Sequence, residues 1–395
     1  IVVTGRLGDC DPYPSLIVRA FQQFTNLRSA VFNVNDDLEE EPHPSELSQE
    51  TFNRIFAALK KLPPLDELVV NWAISERRIN KVIKPGLRKL GLLWFFPDEV
   101  GELLNCLRTV SNSLTELHFR TDGTWQAADF GRLVNVFQTF ANDLRCLKIL
   151  KLARLDPAIY DEALFSAFVQ LPQLEELSLE YEVSYGAIPY NPMQPESRES
   201  PPIVFSSSPS LTNLKTFALV YKSYYGEPRL DATKVCEWIK HVISRCPIEE
   251  LSFRLFQSPR TRKPLPKESW DLLVDHLADK HSKTLRFLDL RAAFVKKHSL
   301  RRLLQKCLLL EELSIATSRG SIRHLRRVEF ELRTLKRGYK ETTASFDEVE
   351  KMMKSAPGLR RVAINEIEWM VGGPALSYFV NPVQFVIFAE LLDVR

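Results

Sequence analysis

A six-residue phrase, apolar-x-x-apolar-x-apolar, returns along this chain at intervals of roughly 25 to 40 residues, and it constrains the fold before any single residue does. Four copies are plainest: Leu174-Glu-Glu-Leu177-Ser-Leu179, Ile248-Glu-Glu-Leu251-Ser-Phe253, Leu285-Arg-Phe-Leu288-Asp-Leu290 and Leu310-Glu-Glu-Leu313-Ser-Ile315. Each phrase alternates like a short strand, so its apolar residues share one face and the residues between them share the other. Helical stretches precede the copies and supply the long return that parallel strands require. No single copy can bury its own apolar face, so neighbours must stack.

This pattern is the L-x-x-L-x-L core of a leucine-rich repeat. The expected fold is α/β, a leucine-rich-repeat solenoid in the shape of a horseshoe, with a parallel β-sheet on the concave face and helices on the convex face. Further copies begin at Leu27, Leu65, Leu114, Leu147, Leu214 and Leu359, and a degenerate one at Leu87. Helices are expected near Gln49 to Leu59 and Trp270 to Lys280. The whole chain, 1–395, reads as one leucine-rich-repeat domain of about ten irregular repeats. Residues 1–24 form an N-terminal cap, 183–210 a long Pro/Ser-rich loop and 365–395 a C-terminal cap. Between 316 and 345 the register is lost, with Val328 to Leu332 a candidate strand.

The alternation predicts which residues look outward. Glu116, His118 and Arg120 come from one copy, Glu176 and Glu180 from another, and Arg254, Asp289 and Arg291 from later ones. Val69, Ser252 and Ser314 belong to the same set. The loops leaving the strands add aromatic surface: Tyr181 and Tyr185 after one repeat, Tyr221, Tyr224 and Tyr225 after the next. Tyrosine joins a large contact area to a polar tip, which suits interfaces. The eight charged or histidine side chains named first and the five tyrosines are the candidate partner-binding residues.

Charge is balanced overall, at +3, so composition alone implies neither a nucleic-acid nor a membrane partner. The distribution is less even. Lys283 to Lys340 carries sixteen Lys or Arg against five Asp or Glu, while Asp36 to Glu50 is acidic. RNA binding through the basic 283–340 region is therefore kept as an alternative to protein binding. Six scattered cysteines without C-x-x-C spacing argue for reduced thiols in a cytoplasmic or nuclear protein. No apolar run is long enough to span a bilayer, and no membrane partner is expected. The chain begins at Ile1 without a signal sequence, so an upstream segment is expected.

No phosphate-binding, hydrolase or metalloprotease motif is present, and no cofactor, metal site or enzymatic activity is expected. His276 and His281, at i,i+5, are not expected to share a helix face. The Glu-Glu pairs recur because the repeat recurs.

The stretches Pro172 to Leu179, Cys246 to Phe253 and Cys307 to Ile315, with Leu359 to Asn365 followed by Trp369, resemble a known group. They look like the cysteine-containing repeats of F-box/leucine-rich-repeat proteins, particularly divergent fungal ones, over Leu16 to Trp369. The resemblance implies a substrate receptor of a cullin–RING ubiquitin ligase. In such proteins the F-box docks on a Skp-type adaptor and the repeats capture the substrate. No F-box is visible in these residues, so the adaptor is implied only if one precedes Ile1. A scaffold clamping one permanent protein partner is the other reading.

Overall fold

The apolar phrases become parallel strands in sequence order. In this computed structural model the described residues are 2–4, 13–23, 26–33, 49–71, 79–95, 100–121, 127–155, 162–183, 211–223, 232–257, 267–316, 334–337, 361–364, 367–371 and 376–380. The chain divides into two compact units, Ile1–Pro195 with Val204–Pro209, and Glu196–Ile203 with Ser210–Arg395.

The first unit runs β1 (Val2–Thr4), α1 (Tyr13–Gln23), β2 (Ser29–Asn33), α2 (Gln49–Lys61), β3 (Glu67–Asn71), a 3₁₀ turn (Ile79–Lys81), β4 (Lys89–Phe95), α3 (Val100–Val110), β5 (Glu116–Thr121), α4 (Ala127–Phe140), β6 (Ile149–Leu155), α5 (Glu162–Val169) and β7 (Glu176–Val183). The second runs β8 (Thr216–Ser223), α6 (Ala232–Ile243), β9 (Glu250–Gln257), α7 (Lys267–Lys280), β10 (Phe287–Phe294), α8 (Lys297–Lys306), β11 (Glu312–Ala316), β12 (Thr334–Arg337), β13 (Arg361–Ile364), β14 (Ile367–Val371) and β15 (Leu376–Val380). Strands pair in parallel with their sequence neighbours within each unit until β13, where the last two turn antiparallel. Each unit is an α/β leucine-rich-repeat solenoid.

Register explains why the phrase recurs. Leu68, Leu90, Leu117, Leu150 and Leu177 lie side by side across β3 to β7, and Val70, Leu92, Phe119, Leu152 and Leu179 form the next row. All ten are buried. A slip of one residue would turn every one of them outward, so the register is firmly set. The leading leucines Leu65, Leu87, Leu114, Leu147 and Leu174 form a third buried row at the strand entry.

A backbone device links each repeat to the next just after that leucine. The carbonyl of Arg28 accepts from the N–H groups of Asp66 and Glu67, at 2.7 and 3.1 Å. The Asp66, Arg88, Thr115 and Lys148 carbonyls do the same for the repeat that follows each of them. In the second unit Lys215, Glu249 and Arg286 continue the pattern.

Helices cover the other side of each sheet. Ile55, Phe56 and Leu59 of α2 are buried at helical spacing, as are Phe130, Leu133, Val134 and Phe137 of α4. Aromatic pairs tie helix to sheet: Phe217 with Trp238 of α6 at 5.7 Å and Phe253 with Trp270 of α7 at 4.7 Å. The α8 start lacks a side-chain cap of its own. Asp271 of α7 supplies one instead, its Oδ1 accepting the Lys296 N–H at 2.8 Å.

Several expectations are corrected. Tyr181 and Tyr221 are not exposed loop residues; both are buried, at 2% and 3%. The strands β7 and β8 run on past the six-residue phrase, so position 181 follows Leu177 and Leu179 inward, and 221 follows Phe217 and Leu219. Burial pushes the Tyr181 phenol up. Val69, Ser252 and Ser314 are also buried, although they lie on the outward side, because small side chains sink between longer neighbours. The Leu87 repeat is regular in the sheet, and a 3₁₀ turn is the helical element that precedes it among the described residues. Pairing with β11 is made by Thr334–Arg337. Val328 to Leu332 lie outside the described residues.

Open sheet faces as the candidate binding site

The second x of each L-x-x-L phrase points away from the helices, and in the first unit these positions form a chain of matched charges. Ser29 donates to the Glu67 carboxylate. Lys89 Nζ lies 3.1 Å from Glu67 Oε1 and 3.2 Å from Glu116 Oε1. His118 Nε2 lies 2.6 Å from Glu116 Oε1, and Lys151 Nζ 2.8 Å from Glu176 Oε1. The register dictates these contacts, since Glu67, Lys89, Glu116, Ile149 and Glu176 occupy one row, and His118 and Lys151 the next.

Partial burial makes the pairing matter. Burial alone would push the Glu67 carboxyl up, but the Ser29 hydroxyl and the Lys89 ammonium outweigh it and leave it below its ordinary value. Burial likewise works against the Lys89 ammonium, and Glu67 and Glu116 together hold it above its usual range. His118 goes down: burial leads, Lys151 and Lys89 add to it, and Glu116 opposes without winning. The imidazole's affinity for a proton is thus held below its ordinary value beside two ammonium groups.

At the far ends of these strands a second arrangement appears. Strand β6 carries a register shift between Leu152 and Leu155, and Arg154 there has φ of 58°. That left-handed conformation is costly for a residue with a Cβ. It sets the Arg154 Nε 3.1 Å from Glu182 Oε2, with the two side chains 10% and 12% exposed. Thr121 Oγ1 donates to the Arg154 carbonyl at 2.7 Å, pinning the bulge to β5.

The second unit presents Arg254 of β9, whose Nε donates to Asp289 Oδ2 of β10 at 3.0 Å. The entry row adds Arg286 with Glu311, Nε to Oε1 at 2.8 Å. It matches Arg28 with Asp66 and Lys148 with Glu175 in the first unit, at 3.2 and 3.1 Å. The recurring Glu residues thus pair with basic residues of adjacent repeats.

Of the candidates read from sequence, Glu116, His118, Arg120, Glu176 and Glu180 lie on β5 and β7 in the first unit, all partly exposed. Arg254 and Asp289 meet in the second. Arg291 falls within β10, and Tyr185, Tyr224 and Tyr225 lie outside the described residues. Lys89, the hub of the charge chain, was missed although it occupies the same phrase position as Glu116. The Arg154–Glu182 pair was missed because a bulge leaves no mark in an alternating pattern.

Part of the basic stretch is already neutralised. Arg302 of α8 lies 3.5 Å from Asp275 and 2.8 Å from Asp279 of α7, and Lys306 lies 2.6 Å from Asp279. His276 and His281 do meet, with ring centroids 5.5 Å apart. Helical spacing would separate them, but α7 ends at Lys280 and the chain turns back. Among the described residues no group of three or more metal-ligating side chains occurs, and no helix is long and apolar enough to cross a membrane.

No curated protein matches this chain. Residues 237–374, from within α6 to just before β15, match the model of a family described as the LRR repeats of FBD-associated F-box protein At5g56370, a plant protein. That match and the parallel strand–helix stacking identify the repeats as leucine-rich repeats of a kind similar to those in F-box proteins, an architecture suited to protein–protein interaction.

Proposed function

We propose that this chain captures a protein partner on its open sheet faces, as the substrate-recognition part of an F-box-type cullin–RING ubiquitin ligase receptor acting in the cytoplasm or nucleus. The observation that carries the binding reading is two sets of partly buried, mutually paired charges, Glu67–Lys89–Glu116–His118 and Lys151–Glu176. Such sets are ordered before any partner arrives, so less side-chain freedom is lost on association. They offer fixed hydrogen-bonding groups without a field of one sign, which fits a polar protein surface better than a polyanion. Glu116, His118, Arg120, Glu176, Glu180, Arg254 and Asp289 are the contact residues in this reading, with Arg291, Tyr185, Tyr224 and Tyr225 as further candidates. The ligase role draws support from the F-box protein named in the family match.

The test is affinity purification of the full-length protein from its native source, followed by mass spectrometry and salt titration of the recovered complex. A Skp-type adaptor and cullin together with a variable third protein is the expected result. One stoichiometric partner without them would make the chain a scaffold. A complex with RNA whose affinity falls steeply with salt would overturn both protein readings.

A further inference from the structure

The last turns of α7 and the turn into β10 carry two imidazoles that the binding face does not use. His281 is 2% exposed, and its ring sits 5.5 Å from that of His276, tilted by 57°. The Nε2 atom of each is buried with no protein partner. Backbone hydrogen bonds converge on His281. Its N–H donates to the Leu277 carbonyl at 2.9 Å, and its own carbonyl accepts from the N–H groups of Thr284 and Leu285 at 3.1 and 2.9 Å. Leu285 then leads into β10, whose Asp289 faces Arg254.

The charges around the pair are unfavourable to a proton. Lys240 of α6 and Lys280 of α7 oppose a proton on His276, Lys280 and the His276 ring oppose one on His281, and the Cys246 backbone bonded to His281 after α6 gives only a dipole in return. Asp279 favours a proton on His276, but the carboxylates of this helix layer are also engaged by cations. Asp279 is held by Arg302 and Lys306 of α8, Asp275 by Arg302, and Asp271 by Lys296. An imidazolium at His281, 2% exposed, would meet a second imidazole and the Lys280 ammonium with little access to water.

We propose that the His276–His281 pair is an acid-sensitive latch, which keeps the α7–β10 turn closed while both rings are neutral and opens it when either takes up a proton. Burial is the leading cause of the low proton affinity, and it brings His281 down to about 4 from an unperturbed value of 6.5. His276 is lowered for the same leading reason. The closed turn therefore binds fewer protons than the open one between these two values. Its stability is full above about pH 6.5 and is lost as pH falls toward 4. Opening moves the entry to β10 and so withdraws Asp289 from Arg254.

Hydrogen exchange of the purified full-length chain, followed by mass spectrometry at pH 7.5 and pH 5.0, tests the latch. Rates are corrected for their intrinsic pH dependence. Peptides covering 276–290 are expected to gain exchange at least tenfold at pH 5.0, while peptides in α4, which holds no histidine, stay unchanged. Emission from Trp238 and Trp270, both buried on the neighbouring helices, should shift to the red over the same range. H276Q should reduce the acid response. K240E, a change at a partly exposed position, places a carboxylate near the rings and should move the midpoint to lower pH. Equal protection of 276–290 at both pH values would overturn the latch. So would a midpoint that neither H276Q nor K240E moves.

Discussion

Replacing Gly91 with alanine asks whether close packing on the open face of the first unit is real, because two physical effects predict opposite signs. Gly91 lies in β4 opposite Val69 of β3 and His118 of β5. Its φ is not positive, in contrast to Gly86 at 97°, so the backbone tolerates a Cβ. On that ground alone the substitution should stabilise by about 0.4–1 kcal/mol, through lost freedom of the unfolded chain. The neighbour reverses this. A Cβ at position 91 would stand 2.8 Å from Val69 Cγ1, 3.0 Å from Cγ2 and 3.2 Å from Cβ. Carbon atoms prefer about 3.5–4.0 Å. Valine cannot swing both methyls clear, because β-branching leaves few χ1 positions, and Val69 is buried. Overpacking of this kind costs about 1–3 kcal/mol. The Tm should fall by about 2–10 °C for a unit of this size. Urea denaturation followed by far-ultraviolet circular dichroism measures the sign. The same change in a Val69→Ala background, which removes both colliding methyls, should be neutral or stabilising, for a coupling of about 1 kcal/mol or more. A Gly91→Ala protein as stable as the parent would refute the packing described for this face.

Leu177→Ala, in the central buried row, should cost about 2–5 kcal/mol by thermal or chemical unfolding, whereas Leu308→Ala, at a 68% exposed position, should stay within about 0.5 kcal/mol. The exposed Arg286–Glu311 pair is worth little, so R286E should lower the unfolding midpoint only slightly, and R286E/E311R should recover most of that at low salt. Of the five described thiols, Cys146 is the partly exposed one and should alkylate first at pH 8. Burial pushes Cys246 and Cys307 up to about 12, so both should resist iodoacetamide until the chain unfolds. Uniform labelling of all five in the folded protein would contradict the packing.

What could be read from sequence follows the strength of the physical constraint behind it. The rows through Leu68 and Val70 were legible because each copy must present the same apolar positions to its neighbours, and a slip exposes them all. The outward rows followed from the same alternation, which is how Glu116 and His118 were found. The phrase fixes only six positions, however, and strands such as β7 run further, so Tyr181 was read as loop when it continues the core. Pairing across strands depends on register, which no single copy contains, and the Leu87 copy that holds Lys89 is degenerate in sequence. His276 and His281 were separated by a helical rule that stops applying where the helix ends. The left-handed Arg154 and the β12 pairing depend on local backbone geometry rather than on periodicity.

The entry row of carbonyls carries side chains whose signs alternate, and this bears on how such a chain can lengthen. In the first unit the sequence is Arg28, Asp66, Arg88, Thr115, Lys148, Glu175, and in the second Lys215, Glu249, Arg286, Glu311. Because the carbonyls of Arg28 to Lys148 and of Lys215 to Arg286 all bind the next repeat in the same way, the backbone would accept a copied repeat at any of these joints. The side chains discriminate slightly, since exposed pairs of this kind are worth little each. A single duplicated repeat sets like charges next to each other, while a duplicated pair restores the alternation at both joints. Growth of this array by gene duplication is thus easier in steps of two, and an odd insertion calls for a neutral residue at the seam, the place Thr115 holds between Arg88 and Lys148.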